Sequence, residues 1–102
     1  MPAPPPPADP PDDADAFATA LAERFEATPT ERRVVARQAR DLADSGRYEA
    51  DTGHELTPAV VVHELADAPD ERLPSKWNWW LGSLELAFGD YAEFQVRAVG
   101  RE

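Results

Sequence analysis

Two histidines, His54 and His63, stand nine residues apart among Asp51, Glu55, Glu64 and Asp67. Imidazole and carboxylate side chains are the usual oxygen and nitrogen donors to zinc and related ions. A spacing of nine fits no compact zinc pattern, and there is no His-Glu-x-x-His. The chain has no cysteine to complete a tetrahedral site, to form a disulfide or to act as a thiol nucleophile. No metal is therefore expected. Serine occurs only at positions 45, 75 and 83, and none lies in a Gly-x-Ser-x-Gly elbow. Gly-rich phosphate loops are absent as well, so no nucleotide and no other cofactor is expected.

Asp51-Thr52-Gly53 matches the catalytic triplet of aspartic proteases, whose retroviral members are homodimers of about this length. In those enzymes the triplet follows an apolar strand. Here Arg47-Tyr48-Glu49-Ala50 precedes it, in helical surroundings. Three residues match by chance in many chains, and fold context decides. Acid pairs such as Asp70/Glu71 are abundant, but their neighbours supply no reason for a raised pKa. The expectation is that the chain is not an enzyme.

Phosphate neutralisation is a further chemistry to consider. Arg33, Arg37 and Arg40 stand on one side of a helical segment, with Arg24, Arg32 and Arg47 nearby. Such a stripe could meet a nucleic-acid backbone. Asp41 and Asp44 fall at i,i+4 from Arg37 and Arg40, as partners already within the stripe. Binding of this kind also falls steeply with salt. A small nucleic-acid-binding regulator is the alternative to the main expectation.

Whole-chain charge speaks to the setting. Twenty acids face ten bases, for a net charge of −10, and only Lys76 among the bases is lysine. Self-repulsion of that size is screened at molar salt, where the Debye length is about 3 Å. An acidic, lysine-poor, alanine- and valine-rich chain fits a salt-rich cytoplasm. No run of eighteen apolar residues suits a membrane. No basic region precedes an apolar one at the N-terminus, so a cytoplasmic setting is expected.

The elements that must position these residues follow from periodicity and caps. Residues 1–14 hold seven of the eleven prolines and only acidic charges; they are expected to form a disordered or polyproline tail. The rest, 15–102, is expected to be a single helical domain. Phe17, Leu21 and Phe25 recur at helical spacing over 15–27, with Asp15 as cap. Thr28-Pro29-Thr30-Glu31 is a capping box with proline in the first turn. It opens a second helix that stops at Ser45-Gly46. Residues 47–57 are expected to be a turn-rich connection in which Tyr48 anchors to the core. Thr57-Pro58 opens a third helix, with Val61, Val62, Leu65 and Ala66 sharing a face.

All three tryptophans fall in Lys76–Gly89, read as a helix capped by Ser75. At 100° per residue Trp77, Trp80, Leu81, Leu84, Ala87 and Phe88 share one face. Trp79 and Leu86 lie seven apart on another, with Gly82 beside a narrow polar strip. This is the expected core helix. Trp79, Leu86 and Gly82 are also the interface candidates, since tryptophan is enriched at binding hot spots and glycine lets another helix approach. Residues 91–99 read as a short helix. The alternative is a strand, Ala92–Ala98, paired with Tyr48–Thr52.

Trp77-Asn78-Trp79-Trp80-Leu81-Gly82-Ser83-Leu84, with Tyr91 and Phe94-Gln95-Val96-Arg97 after it, looks like a small uncharacterised family of acidic haloarchaeal proteins. Gly53-His54-Glu55-Leu56-Thr57-Pro58 belongs to the same pattern. The resemblance covers about residues 45–97. It implies an environment and not a mechanism, and no functional residue is carried over. The expected protein is mainly α, three or four helices around a Trp-rich helix. Its expected function is a non-enzymatic interaction module that meets a protein partner or self-associates as a homodimer.

Overall fold

The computed structural model describes residues 13–96. Most of the proline-rich segment, 1–12, lies outside them, as do residues 97–102. Five α-helices are present among the described residues: α1 Asp13–Arg24, α2 Pro29–Ser45, α3 Arg47–Thr52, α4 Pro58–Ala66 and α5 Leu73–Phe88, followed by a 3₁₀ turn at Ala92–Phe94. No described helix is long and apolar enough to cross a membrane.

α1 starts at Asp13, so Asp15 lies within the helix and not at its N-cap position. It also ends three residues before the expected Ala27. Thr28 precedes a proline, which disfavours helical backbone there. Thr28 is extended at φ −71°, ψ 158° and caps α2 instead. Its Oγ1 accepts from the Glu31 N–H at 3.1 Å, and Glu31 Oε1 accepts from the Thr28 N–H at 3.0 Å. Glu31 is almost wholly buried, and its Oε2 accepts from Arg72 Nη2 at 2.6 Å and Nε at 3.2 Å. One carboxylate thus closes the start of α2 and ties it to the start of α5. Those bonds, with the guanidinium's foremost, hold the Glu31 carboxyl below the usual carboxylate range.

The stretch expected to be a turn-rich connection contains a helix, α3. Gly46 takes the left-handed conformation at φ 72°, ψ 1°. Glycine does this without a side-chain clash. It ends α2 and lets the chain re-enter a helix one residue later, with the Ala50 N–H on Gly46 O at 2.9 Å. Residues 48–52 therefore have helical backbone, which does not form a strand ladder. The anticipated strand pairing of Tyr48–Thr52 with Ala92–Ala98 does not form within the described residues. Tyr48 is buried as the sequence implied.

α5 begins three residues ahead of the expected start. Its N-cap is Arg72, and Ser75 sits inside the first turn and caps nothing. Pro74 is the reason: at the second helical position its missing N–H has no intrahelical partner to lose. A single apolar cluster joins Phe17 and Leu21 of α1, Val35, Ala36, Ala39 and Leu42 of α2, and Val61, Val62 and Leu65 of α4. Leu73, Trp77, Trp80, Leu81 and Leu84 of α5 complete it, closed off by Tyr91, Phe94 and Val96.

Candidate functional site

The Trp-rich stretch divides its side chains between two tasks. Trp77 is fully buried, and its indole Nε1 donates to Phe94 O at 2.8 Å. Trp80 is 4% exposed and stands edge-on to both Trp77 and Tyr48, with ring centroids 5.6 Å apart in each pair. Such edge-to-face contacts add about 0.5–1.5 kcal/mol each beyond area burial. Asn78 works on the backbone. Its Nδ2 donates to Val96 O at 2.9 Å, and its Oδ1 accepts from the Val96 N–H at 2.8 Å. The amide thereby imitates a strand partner, with one donor and one acceptor facing one residue. These bonds fix the chain just after Gln95, which is extended at φ −75°, ψ 150°, with no strand beside it among the described residues. Helical spacing leaves Asn78 on the narrow polar strip of the helix, off the apolar face, and gives no sign of these bonds. Their one legible trace was the alternation of Phe94 and Val96, both of which are buried.

Glu85 anchors the other end of the same segment. Its Oε1 accepts from the N–H groups of Tyr91 at 2.6 Å and Ala92 at 3.0 Å. These bonds, the Tyr91 one largest, hold its carboxyl below the usual range. Gly89 allows the turn, at φ 83° and ψ 158°, a combination that side chains rarely tolerate. Tyr91 is buried, with its hydroxyl donating to Asp51 Oδ2 at 2.8 Å and the Arg47 guanidinium 5.9 Å from its ring centroid. Burial and the Asp51 carboxylate push the phenol well above its ordinary value. Asp51 is thus a hydrogen-bond acceptor on a helix, and Thr52 Oγ1 donates to Tyr48 O at 2.7 Å. The Asp-Thr-Gly triplet sits at a helix end and not after a strand.

Trp79 is left over from this arrangement. It is 40% exposed, and Leu86, seven residues on, is 91% exposed. Gly82 lies between them, half-buried, and a Cβ built there would meet nothing within 4 Å. Phe88 and Ala87, expected in the core, are exposed instead, Phe88 at 46%. They occupy the last turn of α5, and the Phe88 ring leans on Tyr91 at 6.2 Å between centroids. The outer face of α5 therefore carries Trp79 and Leu86, whereas Phe88, about 180° round the helix from Trp79, is exposed on the face that periodicity assigned inward.

The arginine stripe is partly consumed. Arg33 and Arg37 are exposed, whereas Arg40 pairs with Asp44 at 3.4 Å. The Arg32 guanidinium donates to Ala27 O at 2.6 Å. His54 and His63 both line an open cleft of about 470 Å³, with Tyr48, Glu55, Val60 and Glu64. Among the described residues no three His, Asp or Glu side chains converge as a metal site would need.

The WNWW domain family matches the chain over residues 5–85. The chain belongs to this WNWW domain family. No curated protein and no solved structure matches it. The matched span of the WNWW domain covers the indoles, Asn78 and Glu85, and stops before Tyr91–Val96, the segment they hold.

Proposed function

We propose that this WNWW domain is a non-enzymatic protein-interaction module whose contact surface is the outer face of α5, centred on Trp79, Gly82 and Leu86. The observation that carries this is the division of labour in Trp77–Trp80. Trp77 and Trp80 fill the core and Asn78 secures Val96, so three of the four residues have a structural task. Trp79 has none that its partial exposure does not already weaken. A partly exposed tryptophan is the residue type most enriched at binding hot spots. The setting we propose is a salt-rich, haloarchaeal type of cytoplasm, with one helical domain behind an acidic proline-rich tail and no cofactor. We take the Trp-Asn-Trp-Trp run itself to be the family's shared pattern.

The test is thermal unfolding together with absolute mass by light scattering, in molar KCl, for wild type and Trp79→Glu. A variant that melts within a few degrees of wild type supports a surface role for Trp79. Loss of more than about 3 kcal/mol, the range of a core tryptophan, would make it a packing residue and end this reading. The alternative, a nucleic-acid-binding regulator, draws on the exposure of Arg33 and Arg37. It requires that Arg37→Glu weaken DNA or RNA binding with the fold intact.

A further inference from the structure

Residues 91–96 are held as a bound peptide is held. We propose that the groove they fill also takes the same segment from a second copy of this chain, giving a dimer by exchange of residues 91–96. The groove lies apart from Trp79, and the proposal does not rest on the reading of that residue.

Main-chain bonding is the first argument. Most protein hydrogen bonds run from backbone to backbone. Apart from the turn bonds around Ala92–Phe94, this segment is held instead by side chains of α5. Glu85 Oε1 accepts from the Tyr91 and Ala92 N–H groups. The Trp77 indole donates to Phe94 O, and the Asn78 amide engages both backbone groups of Val96. Side chains that bind main chain are indifferent to which molecule supplies it.

Burial supplies the selectivity. Tyr91, Phe94 and Val96 are buried, whereas Ala92 and Glu93 are exposed. The Tyr91 hydroxyl reaches Asp51 of α3, and the Ala92–Phe94 turn packs on α2 and α5. The groove therefore selects Tyr-x-x-Phe-x-Val, a pattern that this chain carries once, at residues 91–96. The occupant that fits is the chain's own segment, from this copy or from another.

The hinge is the third argument. Gly89, at φ 83° and ψ 158°, is followed directly by Asp90 at φ 65°. Such backbone is sparsely populated, and an opened connection sheds the strain. The Arg47–Asp90 pair, at 3.8 Å with the aspartate side chain 87% exposed, does little to hold the turn shut. Opening leaves the groove and its three apolar side chains in water. A second copy opened in the same way supplies the same contacts in return, which is how an identical element is exchanged between protomers. Short strained hinges invite it.

The test is absolute mass by light scattering in molar KCl, where the self-repulsion of the −10 chain is screened. Gly89→Val bars the closed turn, since a β-branched residue does not take that φ, yet it suits an extended connection. It should raise the association constant over wild type by at least about tenfold. Adding Phe94→Ala to Gly89→Val should abolish the dimer, and adding Trp79→Glu should not. A monomeric, folded Gly89→Val would overturn the proposal. So would a dimer that survives Phe94→Ala but is lost with Trp79→Glu, because the contact would then be the outer face of α5. Wild type decides the matter if the variants do not fold. Refolded from urea at millimolar concentration, it should trap a dimer that survives dilution and size exclusion, because return to monomer requires release of buried Tyr91 and Phe94. Refolding to monomer alone, or to a dimer lost at once on dilution, would sink the exchange.

Discussion

Asn78 is the residue on which the C-terminal segment depends most directly. Replacing it with alanine leaves both Val96 backbone groups without their partner and should cost about 1–3 kcal/mol. Urea unfolding would measure the loss, and amide exchange at Val96 should quicken by more than exchange in α2. Glu31 makes a pH prediction. Its folded pKa lies below the usual range, so its stabilising contribution is complete above the pKa of an unfolded glutamate and is lost as pH falls through the folded value. Melting temperature should drop less between pH 6 and pH 3 in Glu31→Gln than in wild type. Tyr91 has the opposite sign: its raised pKa favours the neutral phenol, so its contribution holds below the ordinary tyrosine range and fades as pH climbs past it. The Thr28–Glu31 box was legible because its members are three residues apart. Arg72, 41 residues away, left no local mark on Glu31. Asn78 was illegible for the same reason, since an amide on a polar strip announces neither of its bonds.

At the scale of elements, α5 should separate its tryptophans by experiment. Trp77→Ala opens a cavity and removes the donor to Phe94, and should cost about 3–5 kcal/mol; Trp79→Ala should cost about 1 kcal/mol or less. Parallel denaturation curves decide this. Gly82→Ala should raise stability by about 1 kcal/mol, since the added methyl meets open space and glycine is a poor helix former. Helices opened by Thr-Pro, α2 and α4, were legible from the sequence because a cap and a proline speak for themselves. α3 was hidden because six residues between two glycines contain turn formers whose preference the surrounding packing overrides. The start of α5 was misplaced because proline reads as a break, whereas in a first turn it is a beginning.

For the molecule as a whole, charge dominates. At −10 in 102 residues the folded chain repels itself, and salt relieves that. Raising KCl from 0.1 M to 2 M should raise the melting temperature, with most of the gain in the first molar. A fall across that range, read by calorimetry, would mean that the Glu31–Arg72 and Arg47–Asp90 attractions outweigh the net repulsion. The mainly helical class and most core positions were legible, because periodicity reports burial directly. The same burial pattern also makes the chain its own optical instrument. Of its three indoles, two are sealed inside, edge-on to each other, and one stands in solvent reach. Acrylamide should extinguish the emission of Trp79 well before that of Trp77 and Trp80, so surface occupancy and core integrity can be followed in one cuvette, without a label.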